Sequence, residues 1–402
     1  MEQYLFIFFD KILSNTVAQF LIVAFVILGL YSYYVLKYSS NFSYASENAL
    51  FNNFPNQSFV PKNRIDWFIL LLFISYILAF AWNVFYQVDV RHHDSINYIS
   101  DAACNLDKYI GMQVMFSGRF MPFAHQEFNV LSPLFRLFNC SYVFFYSLTF
   151  IQFLICIYII NKILPFKELY QRLLAIFFIT INVAFFHPFS NIIVNDRNTI
   201  FLTILFIYFI IKFYKIGVNK NLIYALICAN ISIYYKEPMF LFYSGFALTS
   251  LLFKVIENKI PLQNIIKKPV DFTKKYPLEI GLLLMSSIFV IGYIYFIFIV
   301  EQTKDFYGLS QGEDRQNIFQ YITYLFKHYS LFVIAAAITF FYIKDFKNIK
   351  FRNFIACLFM GGILYGLVMI FLRSHIYYYY SIANLVIVIA ACYYLSSRKL
   401  SI

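Results

Sequence analysis

Residues 67–86 read WFILLLFISYILAFAWNVFY, and residues 87–98, directly after them, read QVDVRHHDSINY. The first stretch carries no charged side chain and has the ~20 residues a helix needs to cross a hydrocarbon core of about 30 Å. The second brings Asp89, Arg91, His92, His93 and Asp94 together as the chain leaves that span. A membrane crossing followed at once by a dense polar cluster sets the expectation for the whole chain: a lipid-embedded bundle with its chemistry at one surface.

The composition agrees. Of 402 residues, 61% are hydrophobic and 13% charged, against about 25% charged in an average soluble domain. With 52 Phe and 35 Tyr, such a chain cannot cover a water-facing surface with polar groups, so lipid is its solvent. A net charge of +12 raises nucleic acid as a partner. The basic residues fall in short clusters between apolar runs, which is a topology signal, so nucleic acid is excluded and membrane lipid is expected. The N-terminus, MEQYLFIFFDKIL, is acidic at Glu2 and Asp10 and lacks a basic leading region, so no cleavable signal peptide is expected. Cys156, Cys228, Cys357 and Cys392 lie in apolar runs and read as small core residues. Cys104 and Cys140 share one loop, and spacing alone does not establish a disulfide between them.

Apolar runs fall at 15–36, 66–86, 141–162, 172–188, 198–214, 221–235, 238–253, 277–300, 328–343, 353–372 and 376–396. They predict an all-α polytopic bundle of about 11 transmembrane helices in one integral membrane domain, 1–402. The run through 221–253 is divided at Lys236-Glu237-Pro238, because Pro favours the first turn of a new helix. With the loop after the second run outside, 21 of the 32 basic residues and 7 of the 20 acidic ones lie inside. The positive-inside rule selects that orientation, with the N-terminus extracytoplasmic and the C-terminus cytoplasmic. Two external segments are then long, 87–140 and 301–327. In the first, Asp94, Tyr98, Asp101 and Asn105 share one helical face and Ile96, Ile99, Ala103, Leu106 and Ile110 the opposite one, the pattern of a helix lying on the membrane. Residues 318–326 suggest a second such helix.

The runs carry no ionisable side chain near their midpoints. Asn182, Asn230 and Asn384 are the polar exceptions and read as interhelical hydrogen-bonding residues. Coupled transporters place acids, bases or broken helices at mid-membrane, so ionisable groups gathered at the outer ends favour a surface active site. Asp89 and Asp94 are candidate general bases, or solvated helix caps. His92 and His93 cannot readily share one helical face, which weakens a metal site, although a divalent cation (magnesium or manganese) is a candidate cofactor. Arg119 is a candidate oxyanion ligand, or a partner for Glu127. Asn195 or Asp196 reads as a helix N-cap, with Arg197 beside it. Lys236 either meets a lipid phosphate or snorkels to water. Arg373 is a second candidate phosphate ligand, next to His375, and Tyr377–Tyr380 reads as an aromatic belt.

Four features in order resemble the GT-C-type glycosyltransferases, the polytopic class that uses polyprenyl-phosphate-linked sugars. Asp94 opens an amphipathic external segment, with Tyr98 and Ala102 following. Gly118, Phe120 and Pro122 end that segment. Lys236 and Pro238 sit between two central helices. Arg373, His375, Tyr377 and Tyr378 open the final helix. The departures are Ser95 where Glu is frequent, Glu237 where Gly is usual, a missing Pro after the final Tyr pair, an additional early helix, and no external C-terminal domain.

The resemblance implies a GT-C-like fold in a bacterial cytoplasmic (inner) membrane and a polyprenyl-phosphate or -diphosphate glycan donor. The acceptor is then a glycan or lipid-linked glycan, as in O-antigen, capsule or lipopolysaccharide assembly. It implies Asp94 as the base, with Asp89 second. Arg119, Lys236, Arg373 and His375 would hold the donor phosphate, and His93, Tyr98, Glu127, Asp196 and Arg197 would line the acceptor or sugar site. A repeat-unit polymerase is the nearest alternative; its loss leaves single repeats, whereas loss of a transferase leaves a missing branch. A lipid-linked glycan flippase or other transporter is a further alternative, and a scaffolding role is a third.

Overall fold

A computed structural model describes residues 15–38, 44–51, 57–87, 114–115, 119–138, 142–191, 194–259, 268–300, 351–371 and 377–397. In chain order the helices are α1 (Thr16–Lys37), α2 (Ala45–Phe51), α3 (Arg64–Trp82), α4 (Gln126–Leu137), α5 (Tyr142–Ile163), α6 (Leu169–Thr180), α7 (Val183–Ser190), α8 (Asp196–Ile216), α9 (Asn219–Tyr235), α10 (Met239–Glu257), α11 (Pro269–Lys275), α12 (Pro277–Ile294), α13 (Arg352–Phe371) and α14 (Ser381–Ser397). Wide turns at Asn83–Gln87 and Tyr295–Val300 prolong α3 and α12, and a 3₁₀ turn at Tyr377–Tyr380 leads into α14. The only described strands are β1 (Val114–Met115) and β2 (Arg119–Phe120), an antiparallel pair. Apart from that short pair, the regular structure of the described residues is helical, as the periodicity predicts. Seven described helices are long and apolar enough to cross a membrane, or eight if a bent pair counts as one span. The run at 328–343 and the segment at 301–327 lie outside the described residues, as do 88–113, with their expected amphipathic helix, and Cys104 and Cys140.

In lipid every backbone N–H and C=O must be satisfied within the segment, which is why apolar runs become helices. The lipid-facing sides stay apolar: Leu30 and Tyr33 on α1 and Phe68, Leu71 and Leu78 on α3 are all exposed. Packing concentrates along α8 with α9 and along α10 with α12 and α13. Small residues let α10 and α13 approach closely. A Cβ on Gly361 of α13 would lie 2.7 Å from the Phe242 carbonyl oxygen, and one on Gly245 of α10 would lie 3.3 Å from the Gly361 Cα. Bare Cα positions on both helices let the backbones approach, as small residues do in membrane bundles. Cys156, Cys228, Cys357 and Cys392 are buried with free thiols, consistent with core packing.

Two expectations need correction. The run at 172–188 is not one straight span: α6 and α7 meet at 72°. The side chain of Asn182 accepts from the Ala184 N–H at 2.8 Å, capping a new helix rather than bonding across to a neighbour. Neither amide atom of Asn384, nor Nδ2 of Asn230, meets a hydrogen-bond partner among the described residues. The interhelical bonds expected of those groups are therefore not made.

The α10 helix runs between two buried polar clusters, one just before its first turn and one around its last turns. At its C-terminal end the Lys254 Nζ lies 2.6 Å from Glu279 Oε1 and 3.3 Å from Glu47 Oε1. Ser250 Oγ donates to Glu279 Oε1 at 2.6 Å and Tyr44 OH to Glu279 Oε2 at 2.8 Å. The Lys254 ammonium also sits 3.9 Å from the Tyr44 ring centroid. Tyr44 and Glu47 belong to the link between α1 and α3, so the cluster staples that link to α10 and α12.

Candidate functional site

The opposite cluster, at the Lys236 end, is assembled from three stretches far apart in sequence that meet at the start of a fourth, α8. The first is β2 and the turn after it. Phe120 is fully buried and stacks on Phe296 at 5.2 Å between ring centroids, with Phe289 at 5.7 Å and Phe20 at 6.1 Å. The Phe123 N–H donates to the Tyr234 carbonyl at 3.1 Å. Those aromatic contacts and that bond hold Arg119 against the bundle. The chain then passes through His125 with φ 64°, a left-handed conformation uncommon outside glycine and tolerated better by His than by most residues.

The second stretch is the break between α9 and α10. Pro238, with φ −62°, is preset for a helical start, and Lys236 is extended at φ −157°. That extended residue turns its side chain inward. Lys236 is 2% exposed and pairs with the Asp196 carboxylate, so it neither snorkels to water nor lies open to a lipid headgroup. Burial draws its ammonium below the ordinary lysine value, with Asp196 opposing. Asp196 occupies the first turn of α8, where the helix dipole favours a carboxylate. Asn195 takes the cap position without capping through its side chain. Its Oδ1 accepts from the His125 N–H at 3.2 Å, which turns its Nδ2 toward His125 Nε2 at 3.3 Å. An amide nitrogen only donates, so Nε2 accepts and the imidazole is neutral. Burial, with Arg197 and Arg119 nearby, pulls His125 down to about 4 in agreement.

The third stretch is the 3₁₀ turn before α14. Tyr379 OH accepts from Arg119 Nη1 at 3.3 Å. The Tyr379 ring faces Lys236 at 4.3 Å and Arg119 at 5.8 Å from its centroid, within the range of a cation–π attraction. Ser381 Oγ donates to Asp196 Oδ1 at 3.4 Å. The α7 helix packs against the 3₁₀ turn, so the 72° bend brings it beside the site.

The pairing of charges departs from expectation. Arg119 does not pair with Glu127. Its Nη2 lies 3.6 Å from Glu237 Oε2, while Glu237 Oε1 accepts from the Phe120 N–H at 2.9 Å. Glu127 instead meets Arg197 Nη2 at 2.7 Å and Asn198 Nδ2 at 3.1 Å, and burial raises its carboxyl above the ordinary value despite Arg197. Of the paired cations here Arg119 is the most open, at 16% side-chain exposure against 5% for Arg197 and 3% for Lys236. Glu127 lies in the first turn of α4, a helix the sequence pattern does not predict, whose outward Val130, Leu134 and Leu137 are exposed.

The structure therefore gathers Arg119, Lys236 and Asp196 at one place, with Glu127 and Arg197 bonded to each other nearby through His125 and Asn195. Asp89, His93, Asp94, Tyr98, Arg373 and His375 lie outside the described residues. The sequence marks Glu237 only by its place between Lys236 and Pro238 and Tyr379 only as one of the Tyr377–Tyr380 belt, and gives no signal for Ser381. Among the described residues no three His, Cys, Asp or Glu side chains converge as a metal-binding group. No protein-family model, curated protein or solved structure matches the chain.

Proposed function

We propose that the chain is an extracytoplasmic glycosyltransferase of a bacterial cytoplasmic membrane, with about 11 spans and a GT-C-like fold. Its donor is a sugar or oligosaccharide on a polyprenyl phosphate or diphosphate. The observation that carries this reading is the meeting of Arg119, Lys236 and Tyr379. Lys236 belongs to the third part of the resemblance, Arg119 lies between Gly118 and Phe120 of the second, and Tyr379 follows Tyr378 of the fourth; the three form one aromatic-backed cationic site at a bundle end. The exposed Val130, Leu134 and Leu137 supply an apolar ridge close by, suited to a prenyl chain lying in lipid.

In the reaction an acceptor hydroxyl attacks the anomeric carbon as Asp94 takes its proton, with Asp89 the second candidate for that role. The bond between the anomeric carbon and the phosphate oxygen breaks, and the phosphate leaves with the electron pair. Arg119, with Arg373 and His375, takes the departing oxygens through forked or charged N–H donors. Lys236, behind the Tyr379 ring, adds positive field where negative charge grows, and preorganised charge in a dry site is the most effective form of such help. Asp196 serves as the Lys236 counter-ion. His93, Tyr98, Glu127 and Arg197 line the acceptor side.

The test is turnover by purified protein on a panel of polyprenyl-phosphate sugars. Wild type transfers, and Asp94→Asn, produced at equal level, loses transfer by a factor of at least about 100, the scale of a general base. Transfer retained by Asp94→Asn removes that residue from the mechanism. The bend between α6 and α7 beside the site favours a second reading, a lipid-linked glycan transporter, since broken helices build transporter sites. Flux of lipid-linked glycan in proteoliposomes without turnover would select it.

A further inference from the structure

We infer that Glu237 is a positioning residue that competes with the donor phosphate for Arg119, holding the guanidinium in the empty site and yielding it when the anion arrives. This rests on the glycosyltransferase reading and goes further into the same site. A single carboxylate performs two tasks there. Oε1 accepts from the Phe120 N–H at 2.9 Å, and Oε2 faces Arg119 Nη2 at 3.6 Å. The first contact is a well-formed hydrogen bond between buried groups. The second is longer than the Arg197–Glu127 contact of 2.7 Å, and it involves the most open of the three cations.

This asymmetry makes exchange feasible at Arg119 and not at its neighbours. When Arg119 turns to a phosphate, Glu237 keeps the Phe120 N–H, so its charge stays hydrogen-bonded at one oxygen. A carboxylate stripped of all partners in such a place would be strongly unfavourable. Lys236 and Arg197 are less exposed than Arg119, at 3% and 5% against 16%, and Arg197 lies 2.7 Å from its carboxylate against 3.6 Å for Arg119, so neither turns as readily to an incoming phosphate. Tyr379, contacting Arg119 through its OH and Lys236 through its ring face, keeps the guanidinium near the site during the exchange. Glu237 thereby lowers ground-state affinity for anions and selects ligands whose phosphate outcompetes a carboxylate.

The experiment is binding of a polyprenyl monophosphate, without sugar, to the full-length protein in nanodiscs. Glu237→Gln keeps an acceptor for the Phe120 N–H and removes the competing charge. The expected result is affinity about 5- to 10-fold tighter than wild type, a gain that damage to the fold would not produce. Arg119→Gln/Glu237→Gln abolishes the gain. If wild type binds but Glu237→Gln binds equally or more weakly, the competition is refuted and the glycosyltransferase reading stands. If neither binds, both fall. Should Glu237→Gln not fold, Glu237→Asp draws the charge back by one methylene: a gain of about 2-fold or more supports the competition, and unchanged affinity refutes it.

Discussion

Lys254→Met destabilises the protein by about 3–5 kcal/mol, the magnitude associated with removing one partner from a buried ion pair. Lys254 stands between Glu279 and Glu47, with side-chain exposures of 5%, 0% and 10%. Removing the ammonium leaves two carboxylates in a poorly hydrated place, with Glu279 still joined to Tyr44 and Ser250. The staple between the α1–α3 link and the ends of α10 and α12 then loosens. Lys254→Met/Glu279→Gln removes the more buried charge while its amide oxygen accepts from one of the two hydroxyls, Ser250 or Tyr44, and its amide nitrogen donates to the other, and it recovers most of the loss. The measurement is unfolding of the detergent-purified protein by heat and by denaturant. Wild-type stability in Lys254→Met would show that the cluster does not hold the bundle end together. Because the cluster lies at the far end of α10 from Arg119, turnover per folded molecule stays near wild type.

Lys236→Met combines a stability loss with a functional one. It leaves Asp196 buried with Ser381 as its remaining side-chain contact of those described above, again a loss of about 3–5 kcal/mol. It also removes the positive field behind Tyr379 and lowers transfer by at least about 100-fold, as loss of an oxyanion-stabilising group does. The two effects separate in Lys236→Met/Asp196→Asn. Neutralising both partners restores stability, since a buried pair can be replaced by uncharged groups at little net expense. Transfer stays low. Transfer that recovers together with stability would make Lys236 a structural residue only.

The spans were legible from sequence because lipid leaves the backbone so few choices. The α8 helix at Asp196–Ile216 covers the run at 198–214, and α10 at Met239–Glu257 covers the run at 238–253. The break before Pro238 was legible for the same reason, since Pro has a defined place at a helix start. The break at Asn182 was not. Its cause is one side chain capping two residues on, which leaves hydropathy unchanged. Nor was α4, where Pro133 and polar residues on the buried face obscure the period.

At the site, residue types were legible and their pairing was not. Arg119, Lys236 and Asp196 stand out as charges beside apolar runs. Glu237 meets the Phe120 N–H across 117 residues, and Glu279 meets Tyr44 across 235. Contacts of that span depend on how helices pack, and a single sequence carries no local trace of them. Glu237 lies in the short turn between α9 and α10, and from there its carboxylate also anchors β2.

The central claim is that the Arg119–Lys236–Tyr379 cluster is where the lipid-linked phosphate binds. The most direct measurement is photolabelling of the protein in nanodiscs with a polyprenyl phosphate carrying a photoreactive group next to its phosphate, followed by peptide mapping. The account predicts label in residues 119–123, 236–239 or 377–381, competed away by unmodified polyprenyl phosphate and reduced in Arg119→Gln. Competable label confined to the Lys254 end of the bundle, with none in those segments, would contradict it.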